Sequence, residues 1–334
     1  MTTCSVVVPL YNEEAVLPEL YRRVAGVLKG AAVSYELVLV NDGSKDGTWA
    51  LMKQLREQDP CVTLLNLSRN FGHQIAITAG IEHAAGDTVV IMDADLQDPP
   101  EVILEMLARW REGFDVVYGV RTRRRGDGWF KRATASLFYR VVRMATRVDI
   151  PVDTGDFRLI SRRAVEHLKR LRETNRFVRG LVAWLGFRQV GLTYERAPRY
   201  AGQTKYPLGK MLRFAADAVA SFSVAPLRLA SSLGFLVSFG SFAYAAFAIY
   251  AKVWLGRTLQ GWASLIVAVA FLGGVQLLCL GIVGEYLGRV YDEVKGRPLY
   301  VVQDFDAGTA GGRLVERDQN QAAAPHPPPE PARR

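Results

Sequence analysis

The chain has 334 residues, of which 49% are hydrophobic and 22% are charged, and this balance excludes a wholly disordered protein. Its formal net charge of +9 favours an anionic partner: nucleic acid, a phosphorylated small molecule or an acidic membrane surface. The three cysteines and four histidines show no metal-ligand spacing, so we expect reduced thiols, no disulfide framework and no zinc site.

Short apolar runs alternate with stretches of helical periodicity over the first 121 residues. The runs predict strands at 4–10, 35–41, 62–68, 87–95 and 114–121, and the intervening stretches predict helices at 13–30, 46–58, 73–84 and 99–113. Val-, Ile- and Leu-rich strands that alternate with helices indicate βαβ units and a mostly parallel sheet of the α/β class.

Polar clusters follow three of these strands at the point where each strand ends. They comprise residues 11–13 (Tyr-Asn-Glu), 41–44 (Asn-Asp-Gly-Ser) and 93–95 (Asp-Ala-Asp). Ligands of parallel sheets bind beyond the carboxyl ends of the strands. We therefore expect the three clusters to lie on one rim and to form a ligand site.

Asp93 and Asp95 are two residues apart and share a face if the strand geometry persists through them. Carboxylate oxygens suit Mg²⁺ or Mn²⁺, and Gln97 offers a third oxygen. The spacing alone is a weak signal, but its place after a buried strand predicts a metal site. A divalent cation there would stabilise the charge that grows on a nucleoside diphosphate leaving group.

Two uncharged stretches, 229–250 and 258–284, are each long enough to cross the roughly 20-residue core of a bilayer. They predict a transmembrane hairpin with spans at about 229–251 and 262–284; a pair of buried core helices is the alternative. The flanking segments carry more Lys and Arg than the connection, so the positive-inside rule predicts that both flanks are cytoplasmic.

The remaining segments complete the predicted organisation. Residues 1–206 form the cytoplasmic catalytic domain, and 207–228 form an amphipathic helix that either lies on the membrane or packs against protein. Residues 291–307 are juxtamembrane and cytoplasmic, and the Ala- and Pro-rich tail at 308–334 is predicted to be disordered. No signal peptide is expected, because the first apolar run is short and lacks a basic leader.

Six motifs in order resemble one known family, the family 2 inverting glycosyltransferases, in the branch that glycosylates polyprenyl phosphate. The motifs are VVVPLYNEE (6–14), VLVNDGSKDGT (38–48), SRNFGHQIAITAG (68–80), MDADLQDPPE (92–101), DTGDFRLISR (153–162) and AGQTKYPLGKML (201–212). The chain looks similar to bacterial polyprenyl-phosphate glucosyltransferases and to dolichyl-phosphate mannosyltransferases. The resemblance implies a GT-A fold, an inner-membrane location with both termini cytoplasmic, and a homo-oligomer, a tetramer in resembling proteins.

The resemblance also assigns roles on the donor side. It implies that Pro9, Tyr11 and Glu13 line the base and ribose pocket and that Asp42 contacts the uracil or guanine. It places Asp93 on the ribose or sugar, and Asp95 and Gln97 on the metal. UDP-glucose is the first choice of donor; UDP-galactose, UDP-N-acetyl sugars and GDP-mannose remain open.

A basic stretch at 119–143 predicts the acceptor site. Arg121 ends the fifth strand, and Arg132 and Ser136 are four apart and so share a helix face. Arginine binds phosphate through a planar fork, and the resemblance favours a lipid phosphate as the ligand. Arg199 and Lys205 flank the Gly-Gln-Thr loop at 202–204, and we expect this basic pair to help close the site. The adjoining membrane helices would hold this basic face near a lipid surface, so we do not expect it to bind nucleic acid.

Asp156 resembles the acid proposed as the catalytic base in relatives, and Asp153 is a neighbouring candidate. A lipid monophosphate needs no base, because its second pKa is about 6. Asp156 therefore either acts as a base, positions a substrate, or is a structural carboxylate held by Arg158 or a backbone turn.

Three other functions fit the sequence less well. A processive polysaccharide synthase would carry a Gln-x-x-Arg-Trp motif, but position 106 before Arg109 and Trp110 is Met. A dinucleotide-dependent oxidoreductase would carry Gly-x-Gly-x-x-Gly after a strand, and the chain has none. A non-catalytic membrane scaffold would have no use for the acidic and basic clusters together.

Overall fold

The computed structural model describes residues 3–121, 154–171, 173–174, 176–197, 225–254 and 261–309. The chain forms two compact units. The first comprises residues 1–128, 148–205 and 298–334, and the second comprises 129–147 and 206–297. The predicted amphipathic helix at 207–228 lies mostly outside the described residues.

The described part of the first unit contains eight strands and six helices. The strands are β1 (Thr3–Leu10), β2 (Ser34–Asn41), β3 (Val62–Leu67), β4 (Thr88–Ile91), β5 (Val116–Arg121), β6 (Thr154–Ser161), β7 (Gln189–Tyr194) and β8 (Val302–Asp306). The helices are α1 (Leu17–Gly30), α2 (Thr48–Gln58), α3 (His73–His83), α4 (Val102–Arg111), α5 (Arg162–Arg170) and α6 (Val178–Trp184). Each strand and helix predicted before residue 121 is present.

The eight strands form one sheet in the order β7-β5-β6-β4-β1-β2-β3-β8. Strands β1 to β4 run parallel, as do β5 and β7, whereas β6 is antiparallel to both of its neighbours. The prediction of a mostly parallel α/β sheet is confirmed.

Helices cover both faces of the sheet, which explains why its central strands are apolar throughout. Val6 and Val8 of β1 belong to a buried cluster that includes residues of α1 and α4. The intervening Val7 faces α3, where a side chain at Gly80 would collide with it. Each fully buried Val or Leu contributes about 1.5–3 kcal/mol, so the sheet is a rigid platform for its rim.

Strand β4 ends four residues earlier than predicted. It stops at Ile91, and residues 94–95 form a turn in which the next residue, Leu96, has a positive φ of 56°. The premise that strand geometry continues through Asp93 and Asp95 is therefore wrong. Their relative placement comes from a turn and not from strand alternation.

Strand β8 was not predicted. It follows the apolar helices in the chain and pairs antiparallel with β3, on the edge of the sheet. Its flanks are tied down as well, because Ser68 N–H donates to the Val301 carbonyl and Gly308 N–H donates to Thr63. The edge of β3, which would otherwise expose unpaired backbone groups, is thereby covered.

The described part of the second unit contains two long helices, α7 (Ala225–Trp254) and α8 (Trp262–Val294). Both are long and apolar enough to cross a membrane, with candidate spans at Ala230–Phe247 and Val267–Val294. Large apolar side chains point outward along α7, among them Phe235, Phe239 and Phe242. So extensive an exposed apolar surface is typical of a helix pair that contacts lipid.

Candidate active site

The polar loops after β1 and β2 are hydrogen-bonded to each other. Asn12, which has a positive φ of 56°, donates its backbone N–H to Ser44 Oγ at 3.0 Å and accepts from the Lys45 N–H at 2.8 Å. The Glu13 N–H donates to Thr48 Oγ1 at 2.9 Å. Two of the three predicted rim clusters thus form one structure.

The residues predicted for the nucleotide pocket lie in or beside this structure. Pro9 lies in β1, and Tyr11 is 44% exposed. The buried Asp42 carboxylate accepts the N–H groups of Phe71 and Gly72, just before α3. Burial raises the pKa of Asp42 despite these two bonds. These two hydrogen bonds hold the start of α3 against the loop after β2.

Three ionisable side chains meet beyond the end of β4, near the beginning of β6 and at the start of α3. His73 Nε2 lies 3.4 Å from Asp93 Oδ1 and 3.4 Å from Asp156 Oδ2. Within the described part of the chain, this is the group of three whose spacing suits a metal ion. Burial is the main cause that raises the pKa of Asp93 to about 6, partly opposed by His73.

Asp156 is held on both of its oxygens. Arg179 Nε donates to Oδ1 at 2.8 Å, and Gln74 Nε2 donates to Oδ2 at 3.2 Å. Burial alone would raise the pKa of Asp156, but the bonds from His73 and Arg179 outweigh it and hold the pKa far below its usual range. Arg158, the partner considered from the sequence, donates to the Gly155 carbonyl, and its charge also helps to lower the pKa of Asp156.

Asp95 and Gln97 lie in the turn after β4. The Asp95 carboxylate accepts the Gln97 N–H at 3.2 Å, and the Gln97 carbonyl accepts the Ala197 N–H at 3.0 Å. Asp95 is not a member of the His73 group. Their role as metal ligands remains a prediction.

Arg121 ends β5 on the same rim. Its guanidinium lies 3.4 Å from the Tyr194 hydroxyl and 4.0 Å from the buried carboxylate of Asp98, which also accepts a hydrogen bond from Tyr194. A Cβ at position 155 would collide with this guanidinium, so Gly155 allows Arg121 to lie over β6. The other predicted acceptor-site residues, and one predicted catalytic residue, lie outside the described residues: Arg132, Ser136, Arg199, Lys205 and Asp153.

Three side chains that surround Asp156 were not predicted from the sequence. His73 and Gln74 are adjacent in the SRNFGHQIAITAG motif, and this motif was the local signal that could have identified them. Arg179 stands outside every motif, and nothing in its local sequence distinguishes it from a surface arginine.

The sheet carries carboxylates on one rim with an arginine beside them, and the comparisons with known proteins show the class of protein to which this chain belongs. Residues 5–169 match the family described as Glycosyl transferase family 2, and residues 225–290 match the GtrB C-terminal hairpin. The chain belongs to glycosyl transferase family 2, is a glycosyltransferase, and has the GT-A fold.

Two relatives match nearly end to end. The glycosyltransferase YkcC of Bacillus subtilis is 51% identical, with 95% of this chain and 98% of that protein covered. The bactoprenol glucosyl transferase of Shigella phage SfV is 41% identical, with 90% and 98% covered. Among solved structures, the chain is 18% identical to glucosyl-3-phosphoglycerate synthase from Mycobacterium tuberculosis in complex with Mn²⁺, UDP and phosphoglyceric acid. That match covers 66% of this chain and 76% of the other, with a TM-score of 0.47.

Proposed function

We propose that this enzyme transfers one glucose from UDP-glucose to a polyprenyl phosphate with inversion at the anomeric carbon. The product would be a lipid-linked sugar donor for modification of cell-envelope glycans. One observation carries the proposal: relatives named bactoprenol glucosyl transferases match nine-tenths of the chain, through the catalytic unit and the hairpin alike. Bactoprenol is a bacterial polyprenol, which suits an enzyme with two apolar helices.

Asp93, Asp95 and Gln97 would hold Mg²⁺ or Mn²⁺ together with the donor diphosphate. These ligand residues fit such an ion: Oδ1 of Asp93 is buried and makes no hydrogen bond among the described residues, and its ion-pair contact with His73 is long, at 3.4 Å. Hard oxygen ligands of this kind are those that Mg²⁺ and Mn²⁺ prefer. When bound, the ion would stabilise the negative charge on the departing diphosphate. Pro9, Tyr11, Glu13 and Asp42 would hold the nucleoside.

Arg121 would bind the acceptor phosphate, together with Arg132, Ser136, Arg199 and Lys205. A phosphate monoester is largely ionised at neutral pH and is its own nucleophile. Asp156 is a poor base, because its low pKa gives the carboxylate little affinity for a proton and both of its oxygens already accept hydrogen bonds. We therefore assign Asp156 a positioning role toward the donor sugar.

The catalytic unit and both ends of the hairpin would be cytoplasmic. Strand β3 precedes the apolar helices in the chain and β8 follows them, yet the two strands pair in one sheet. Because one sheet cannot stand on both sides of a bilayer, both ends of the hairpin are expected on the same side. The charge bias of the flanks favours the cytoplasm for that side. The tetramer and the membrane-surface helix at 207–228 remain predictions from sequence.

A labelling experiment tests the activity. Purified protein in detergent is incubated with polyprenyl phosphate, Mg²⁺ or Mn²⁺ and one radiolabelled nucleotide-sugar at a time, and the lipid is extracted. UDP-glucose is expected to label the lipid, and chelation of the cation is expected to abolish the label. Label from GDP-mannose alone would support the mannosyltransferase alternative, and no label from any donor would overturn the proposal.

Asp95→Asn tests the metal assignment in the same assay, with Asp306→Asn, an exposed aspartate of β8, as the matched control. Loss of labelling is expected only for Asp95→Asn; wild-type transfer by that variant would exclude Asp95 as an essential ligand.

A further inference from the structure

A row of three polar side chains crosses the end of the sheet from the C-terminal strand to the loop after β2. Asn41 of β2, Asn66 of β3 and Asp304 of β8 are neighbours across adjacent strands. Asn66 Nδ2 donates to Asp304 Oδ2 at 2.8 Å, and Asn41 Nδ2 donates to Asn66 Oδ1 at 2.7 Å. Both asparagines are buried, so their hydrogen bonds must be satisfied within the protein.

The row continues into the loops that form the proposed nucleotide pocket. Asn41 Oδ1 accepts the backbone N–H of Ser44 at 3.1 Å, and Ser44 Oγ accepts the N–H of Asn12 at 3.0 Å. Asn41 also directly precedes Asp42. One series of hydrogen bonds therefore joins the strand that follows the membrane hairpin to both donor-side loops.

The Asp304 carboxylate gives this series a direction. An ionised carboxylate only accepts hydrogen bonds, so Asn66 must turn its NH₂ toward Asp304 and its carbonyl oxygen toward Asn41. Asn41 must then present its own oxygen to the Ser44 N–H. If a donor replaced this carboxylate, both amides would turn over, and the Asn41 NH₂ would face the Ser44 N–H, donor against donor.

We propose that Asp304 is a positioning residue for the nucleotide-sugar: through Asn66 and Asn41 it holds the 43–48 loop in its binding conformation. The proposal rests on the proposed function, because that function assigns the nucleoside to Asp42, directly before this loop, and to Glu13, whose N–H the loop's Thr48 binds. It gives β8 a role beyond covering the edge of β3, since the segment after the hairpin then helps to shape the donor site.

The decisive experiment reverses the polarity of the series in the full-length protein and then restores it. Asp304→Lys replaces the acceptor with a donor. In the double variant Asn66→Asp with Asp304→Lys, the carboxylate introduced on β3 accepts from both the ammonium introduced on β8 and Asn41, which returns Asn41 to its original orientation. The control is Asp306→Lys, because it makes the same charge change on the same strand but acts on the ion pair with Arg56.

The Michaelis constants for donor and acceptor are the readout. The donor KM of Asp304→Lys is expected to rise about three- to tenfold, the effect of one lost part-buried hydrogen bond, with the acceptor KM unchanged. The donor KM of the double variant is expected to return to within about twofold of the wild-type value. The donor KM of Asp306→Lys is expected to lie within the same twofold range. Equal donor KM values for the two single Lys variants, or no recovery in the double variant, would overturn the proposal.

A second measurement needs neither activity nor the Lys variants. Hydrogen exchange of the Ser44 amide is compared between Asp304→Ala and Asp306→Ala, and only the first is expected to exchange faster, by about threefold or more. Equal exchange in the two variants would overturn the proposal. If wild-type protein transferred no sugar at all, the proposed function would fail, and this exchange comparison would still decide the role of Asp304.

Discussion

Replacing Arg179 with Met tests how Asp156 is held. Arg179 contacts both oxygens of a carboxylate whose side chain is 7% exposed, and it also donates to the Thr154 carbonyl at 2.7 Å. Met keeps much of the apolar stem but removes every donor. Asp156 would then retain Gln74 and His73, and its pKa would rise.

The magnitude follows from the burial of the pair. Removing one partner of a buried ion pair costs about 3–5 kcal/mol, and Arg179 is 25% exposed, so we expect about 2–3 kcal/mol. In wild type the depressed pKa of Asp156 contributes stability above the ordinary carboxyl pKa, and this is lost as the pH falls through the folded-state value. The stability gap between wild type and Arg179→Met should therefore be widest at neutral pH and narrow in acid.

Thermal unfolding in detergent at about pH 7.5 and about pH 3 measures this gap, because the contribution of Asp156 begins to be lost only below the ordinary carboxyl pKa; the gap should be about 5–10 °C at the higher pH. Transfer should fall at least about tenfold, because the displaced carboxylate no longer aligns its substrate. Arg163→Met is the control: it breaks an Arg–Asp pair at the other end of the sheet in which the arginine is 66% exposed, and it should cost under about 1 kcal/mol. Equal losses of stability and activity in the two variants would refute the reasoning.

Three further changes have distinct expected outcomes. Asp93→Asn should abolish transfer yet stabilise the protein by about 2 kcal/mol at neutral pH, because a carboxyl whose folded pKa is about 6 costs stability when it is ionised. Thermal unfolding should show that this gain in stability disappears as the pH falls from about 6 to 4. His73→Gln keeps a hydrogen-bond donor but removes the imidazole that lies between two carboxylates, which raise its pKa despite its burial; kcat should fall about tenfold in the lipid-labelling assay, and an unchanged kcat would exclude a role for His73 in transfer. Gly43→Ala should destabilise the protein by about 2 kcal/mol or more in thermal unfolding, because φ is +67° and the new Cβ would lie 2.5 Å from the backbone of Arg69 and Asn70; Gly26→Ala, where the space is open, should not destabilise it.

The sequence determined those features that depend on local pattern. Apolar runs and helical periodicity placed the five strands and four helices before residue 121, because neighbouring residues alone create those periods. The same logic placed the two apolar helices after residue 225. The polar clusters could be assigned to one rim because parallel strands put their carboxyl ends on one edge, and two of the clusters do form one bonded structure.

Only the tertiary structure decided which side chains meet. Gln74 and Asp156 are 82 residues apart in the chain, and Arg179 reaches Asp156 from a helix with no distinguishing sequence. The turn that ends β4 at Ile91, and the strand β8 that joins the sheet after the hairpin, likewise depend on contacts between distant segments. Local sequence sets the propensity of each segment, whereas the partners of buried polar groups are set by packing, and packing brings together residues that are far apart in the chain.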